Sequence, residues 1–295
     1  MKTNEIRYMI TLNYSNVNEV SKADIVIIGV PDESKSHAKR KGIIMGPDIL
    51  RRSSNESNFF ERGGKTIPIC PMRGAIDGKC IFDYGNIRRE DLYRLIFELV
   101  SSKKIPIVIG GDHSITTVIL HAIGDYIGKT GLVYFDAHPD FVSTTNDYYG
   151  SVLHDASRWI DFNESILIGT RSAEPEELDN AFKSGLDIVT PLDINEFGIA
   201  KIMDKVKEKS NKGKKYISID LDCLDPAFAP GVSVPSAGGL SSIDLITLIK
   251  VAVGSGILGL DIVELLPDFD INNATSILAS RILLESIASI DLAQR

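Results

Sequence analysis

Short runs of branched apolar residues recur along this chain, separated by segments whose apolar positions fall at helical spacing. Residues 24–30, 104–109, 132–135, 165–168, 216–219 and 257–262 place apolar side chains at successive positions. A strand sends alternate side chains to opposite faces, so runs of this kind predict strands covered on both sides. Between them, residues 89–101, 114–126, 196–209 and 272–288 show the 3.6-residue period of amphipathic helices. Ser114 can cap the second of these, and Ser241-Ser242-Ile243-Asp244 reads as a capping box opening one more helix, with Asp in the place of Glu. Strand–helix alternation predicts an α/β fold, a mainly parallel sheet with helices on both faces. No fixed-period repeat, low-complexity tract or linker interrupts it, so residues 1–295 read as a single domain.

Composition narrows the partners. The 295 residues are 43% hydrophobic and 24% charged, enough apolar material for a large core without disulfide staples. The net charge of −8 argues against nucleic acid and against an anionic membrane surface, and is compatible with a cationic substrate. Cys70, Cys80 and Cys223 are odd in number and lack C-x-x-C spacing, so they read as reduced, buried thiols. Met1-Lys2-Thr3-Asn4-Glu5 opens no apolar signal region, and no stretch approaches the roughly 18 apolar residues of a membrane span; a cytoplasmic protein is expected.

The chemistry sits where apolar runs end. Asp136-Ala137-His138-Pro139-Asp140 follows one predicted strand, Asp220-Leu221-Asp222 another, and Gly110-Gly111-Asp112-His113-Ser114 a third. In extended backbone, residues i, i+2 and i+4 share a face, so Asp136, His138 and Asp140 can point one way, as can Asp220 and Asp222. A single Asp at a strand end is usually a turn or cap residue. Several converging acids would repel one another unless cations lay between them. Carboxyl ends of parallel strands are also where open α/β sheets place ligands. His113, Asp136, His138, Asp140, Asp220 and Asp222 thus form a candidate ligand set for two divalent metals. Oxygen donors with some imidazole and no thiolate suit manganese first, then cobalt, iron or zinc; calcium is disfavoured by the imidazoles.

Gly-Gly-Asp-His-Ser, Asp-Ala-His-x-Asp and Ser-x-Asp-x-Asp-x-x-Asp-Pro, in this order, resemble the motifs of the ureohydrolases, the arginase and agmatinase family. Ile28-Gly29-Val30-Pro31, Gly46-Pro47-Asp48-Ile49-Leu50-Arg51 and Gly238-Gly239-Leu240-Ser241 extend the resemblance over nearly the whole chain. It implies a single three-layer α/β/α domain on a largely parallel eight-stranded sheet, two Mn2+ per subunit, and a homo-oligomer, trimer or hexamer. One manganese would be held by His113, Asp136, Asp140 and Asp220, the other by Asp136, His138, Asp220 and Asp222, with Asp136 and Asp220 bridging.

The implied reaction is hydrolysis of a guanidino compound with release of urea. A guanidinium carbon is a poor electrophile, and hydroxide held by two metals about 3.5–4 Å apart meets that need. His154 is the candidate proton shuttle; aligning the loop on Gly150 instead sets Tyr149 at that position. Glu264 resembles the glutamate that receives the guanidinium by paired hydrogen bonds, although Leu266 follows where the family commonly has Asn. Asp112 is expected to orient His113, and Asp225-Pro226 to shape a turn, while His37 and His121 read as surface or packing residues. Val142 and the Gly169-Thr170-Arg171-Ser172 turn depart from arginase and look closer to agmatinase, so agmatine, giving putrescine and urea in polyamine biosynthesis, is the expected substrate. Guanidinobutyrate, formiminoglutamate and arginine stay open as substrates, with Ser236 standing where relatives often carry Glu, and the placement of His154 and the change to Leu266 keep open a metal-binding homologue without catalysis.

Overall fold

The computed structural model describes residues 10–211 and 213–294. Ten strands occur among them: β1 (Ile25–Gly29), β2 (Phe59–Arg62), β3 (Lys65–Pro68), β4 (Ile81–Asn86), β5 (Ile105–Ile109), β6 (Leu132–Phe135), β7 (Ile166–Ile168), β8 (Asp187–Val189), β9 (Lys215–Asp220) and β10 (Ile257–Val263). The helices are α1 (Gly46–Ser57), α2 (Arg89–Ser101), α3 (Ile115–Ile127), α4 (Val152–Asp155), α5 (Pro175–Ser184), α6 (Pro191–Phe197), α7 (Ile199–Ser210), α8 (Ser242–Gly254) and α9 (Ala274–Ser289). Eight strands form one sheet in the order β4-β1-β5-β10-β9-β6-β7-β8, every neighbouring pair parallel, while β2 and β3 make a separate antiparallel hairpin.

The strand pattern shows why the sheet is sandwiched. Ile25, Ile27, Ile107, Ile109, Val133, Phe135, Ile217 and Ile219 face one way and pack with Leu50 of α1, Val206 of α7, Leu245 and Leu248 of α8 and Ile282 of α9. The alternate positions, Val26, Ile28, Val108, Leu132, Tyr134 and Tyr216, face the other way, against Leu92 and Ile96 of α2, Ile119 and Ile123 of α3 and Leu153 of α4. Both parities are apolar because both faces are buried. The result is a single-domain, three-layer α/β/α architecture.

Two edge strands, β4 and β8, escape the sequence pattern. β4 alternates buried and exposed residues and carries Asp83 inward, where the fully buried Arg51 of α1 grips it through Nε–Oδ2 and Nη2–Oδ1 contacts of 2.9 Å. β8 is three residues long. The single helix expected over residues 196–209 is two, α6 and α7, because Gly198 takes φ 80° and ψ 151° and breaks the hydrogen-bond ladder. Ser241 does cap α8, accepting from the Asp244 amide at 3.1 Å. Among the described residues no helix is long and apolar enough to cross a membrane; residues 1–5, read above as lacking a signal, lie outside them.

Candidate metal centre

The four central strands of the sheet are β5, β10, β9 and β6, side by side. Their carboxyl ends deliver, in that order, His113, Glu264, Asp220 with Asp222, and Asp136 with His138 and Asp140. Separations of up to about 150 residues in sequence close to hydrogen-bonding distance, as in the 3.0 Å bond from the His113 amide to Glu264 Oε1.

His113 Nδ1 stands 3.0 Å from Asp136 Oδ2, 3.1 Å from Asp140 Oδ2 and 3.1 Å from Asp220 Oδ2. His138 Nδ1 stands 3.1 Å from Asp222 Oδ2 and 3.4 Å from Asp136 Oδ1. Two donor clusters result, His113–Asp136–Asp140 and Asp136–His138–Asp222, and Asp136 belongs to both. All six predicted residues therefore come together. His138 is the opening to solvent, its side chain 22% exposed, while His113 and Asp136 are sealed.

Backbone geometry aims these groups. The His138 amide donates to Asp136 Oδ1 at 2.6 Å, and the Asp222 amide to Asp220 Oδ1 at 2.7 Å, fixing both carboxylates at the strand ends. Asp140 and Glu264 hold left-handed backbone, at φ 48° and 66°. Non-glycine residues adopt that conformation where the surroundings enforce it, often at functional sites. Gly111 is required for close approach, since a Cβ there would sit 1.8 Å from the Asp32 carbonyl oxygen. Arg171 braces the Asp222 loop by donating to the carbonyls of Asp222, Cys223, Leu224 and Ser236.

The electrostatics favour cations among these groups. Asp136 Oδ2 is buried without a hydrogen-bond partner. Burial, then Asp222 and Asp136, push the Asp220 carboxyl well above the usual range, and burial with Asp136 pushes Asp140 up to about 6. Burial pulls the His113 imidazole down, but the carboxylates of Asp136, Asp140 and Asp220 beside it outweigh burial and raise the ring well above its normal value. Without cations, protons must hold this cluster together; divalent ions would replace them, and the oxygen-rich donors with two imidazoles fit such ions.

Several contributors were not legible as such. Tyr134, inside the apolar run of β6, stacks on His113 at 4.7 Å between ring centres and donates to Asp140 Oδ2 at 2.8 Å. Asp261, in β10, accepts from Ser218, Thr116 and Tyr216 at 2.7–2.8 Å. A charged residue within an apolar strand was the available signal for it. Glu264 accepts from the His113 amide and from Ser233; burial and then Asp112 push its carboxyl well above the usual range. Asp112 itself bonds Lys35 and Ser114 rather than the His113 ring, so it sets the loop and the start of α3. Asp225 ties the amides of Gly238 and Gly239, shaping the turn as expected. His121 stacks on Trp159, and His37 on Tyr148.

A cavity of about 190 Å3 opens over the cluster, lined by His138, Asp140, Val142, Tyr148, Tyr149, Glu174, Glu177 and Val234 among others. Tyr149 is in that wall; His154 is not, lying half-buried on α4. A larger, mainly apolar cleft of about 860 Å3 near α8 holds none of the cluster residues.

A sandwiched parallel sheet whose central strands converge carboxylates and imidazoles on a water-accessible cavity defines a metal-dependent hydrolase. The chain belongs to the arginase family, whose family model matches residues 23–288, and it is a ureohydrolase acting on C–N bonds of linear amidines. An agmatinase from Neisseria meningitidis serogroup C is 33% identical over 274 residues, covering 90% of this chain and 87% of that protein. Among solved structures, an agmatine ureohydrolase from Thermoplasma volcanium matches with a TM-score of 0.80 and 29% identity over 96% of this chain and 95% of that one. Proclavaminate amidino hydrolase from Streptomyces clavuligerus matches with the same TM-score and 29% identity, over 90% of this chain and 91% of that one.

Proposed function

We propose that this chain, residues 1–295 working as one domain, hydrolyses agmatine to putrescine and urea, and that it does so with two Mn2+ held by His113, Asp136, His138, Asp140, Asp220 and Asp222. Asp136 and Asp220 would be shared between the ions. Bound there, the ions would supply a hydroxide nucleophile at neutral pH. Glu264 would take the guanidinium. Each of its oxygens already accepts one hydrogen bond, from His113 and from Ser233, and keeps a lone pair free. The guanidinium's own charge would offset the burial that otherwise favours the neutral acid.

The observation that carries the substrate is the charge of the cavity wall. Glu174 stands exposed at the mouth and Glu177 lies buried beside it, with Val142 and Val234 as the apolar part of the lining. Agmatine offers a cation at each end and methylenes between. Guanidinobutyrate, formiminoglutamate or proclavaminate-type substrates would bring a carboxylate toward these acids, and like charges in a partly desolvated cavity are strongly disfavoured. Arginine, carrying both charges on its tail, falls between. Burial pushes Glu177 up to about 7, so part of the repulsion depends on its ionisation, while Glu174 faces water.

The test is urea release by the manganese-loaded protein across agmatine, arginine, guanidinobutyrate and formiminoglutamate, the last followed through glutamate. Agmatine should dominate kcat/KM. Preference for a carboxylate tail would overturn the substrate, and full metal loading without turnover on any compound would leave a metal-binding relative only. A cytoplasmic location belongs to this proposal, as does a trimeric or hexameric assembly by resemblance to the family.

A further inference from the structure

We propose that the Tyr149 phenol delivers the proton to the amine that departs as the guanidino group is cleaved. The inference rests on the guanidino-hydrolase reading of the same site.

Tyr149 is the last residue before Gly150, and the segment is folded back onto the metal-ligand loop. The Val142 amide donates to the Gly150 carbonyl at 3.2 Å and the Leu153 amide to the Asp140 carbonyl at 2.9 Å. The Tyr149 amide donates to the Lys35 carbonyl at 3.3 Å, and its ring meets Tyr148 edge-on at 5.6 Å. The side chain is thereby held in the cavity wall with His138 and Asp140.

The buried Tyr134 and Tyr216 hydroxyls are committed, to Asp140 and Asp261. The Tyr149 hydroxyl makes no hydrogen bond among the described residues, so it is free to donate to a ligand. Tyr148 also lines the cavity, but its ring stacks on His37 at 5.1 Å and its phenol lies back against Gly150. For Tyr149 the charge that acts most is Glu264, the residue proposed to take the guanidinium. Burial and then Glu264 hold its phenol up at about 12, so it carries its proton at neutral pH. His154, the residue first expected in this role, lies outside the lining and makes no side-chain hydrogen bond or ion pair among the described residues.

The step balances. The oxygen of water adds to the guanidino carbon, the bond from that carbon to the alkyl nitrogen breaks, and its electron pair stays on nitrogen. Water gives one proton to solvent as its oxygen adds; nitrogen takes the phenolic proton and leaves as the neutral amine, the hydroxyl proton of the resulting protonated urea returns to the phenolate, and the amine takes one proton from solvent. The net change is guanidinium plus water to alkylammonium plus urea.

The experiment compares wild type, Tyr149→Phe, Tyr149→His and His154→Ala, all loaded with manganese and analysed for metal content. Tyr149→Phe should keep both ions, change KM for agmatine by less than about threefold, and lose about 100-fold or more in kcat, the lower range for general acid catalysis. The loss should shrink for guanidino compounds whose leaving amines are weakly basic, which a merely structural role would not produce. Tyr149→His should recover part of the rate. A Tyr149→Phe kcat within threefold of wild type, a deficit equal for every leaving group, or a collapse confined to His154→Ala would overturn the proposal while leaving the guanidino hydrolase intact. A metal-loaded wild type that releases urea from no compound would instead overturn the parent reading, and this one with it.

Discussion

Ser218 Oγ lies 2.8 Å from His113 Nε2, on the side of the ring away from the carboxylates. Ser218 has one hydroxyl proton and spends it on Asp261 Oδ1 at 2.7 Å. Its oxygen is then left to accept from the imidazole, which puts a proton on Nε2 and turns the Nδ1 lone pair toward Asp136, Asp140 and Asp220. Ser218→Ala should therefore weaken metal binding by about 10–100-fold, as loss of a partner behind a ligating histidine commonly does. Competition with a chelator measures it; unchanged affinity would show that packing alone orients the ring.

Asp136 is the one residue common to both donor clusters. Asp136→Asn should empty both positions and abolish turnover, and Asp220→Asn should do the same if it bridges. Asp222→Asn touches only the His138 side and should spare the ion on the His113 side. Elemental analysis after dialysis distinguishes the three; two ions retained in Asp136→Asn would refute its shared position.

Metal affinity should fall as the solution is acidified through about pH 6. Burial and Asp136 raise Asp140 to about 6, and burial with Asp222 and Asp136 raises Asp220 well above the usual carboxylate range. A raised carboxyl is protonated on the acid side of its pKa, and the protonated form is a poor ligand, so binding must expel protons there. Titration calorimetry in buffers of different ionisation enthalpy should find more protons released per ion at acid than at alkaline pH.

Arg51 and Asp83 form a buried pair with neither side chain exposed. Arg51→Ala strands the Asp83 carboxylate and should destabilise the fold by about 3–5 kcal/mol in chemical denaturation. Replacing both by apolar residues of similar volume should lose much less, since no uncompensated charge remains.

The six metal-ligand candidates were readable because strand ends and i, i+2 spacing decide which side chains can share a face. Glu264 was readable in the same way, as an acid ending an apolar run. The break at Gly198 was not, because apolar positions keep helical phase on both sides of it. β4 was hidden by Asp83, a charge tolerable in a sheet only because Arg51, 32 residues earlier, lies against it. Tyr134 looked like core and is core; its hydroxyl alone reaches the site.

By itself the sequence determined the layer order and the donor chemistry. Apolar parity within a strand reflects burial on its two faces, and ligand type is a property of the side chain. It did not determine that β5, β10, β9 and β6 lie side by side, nor whether Tyr149 or His154 faces the cavity. Those depend on strand order and on how a loop folds back on itself, contacts between residues far apart in the chain that no local pattern records.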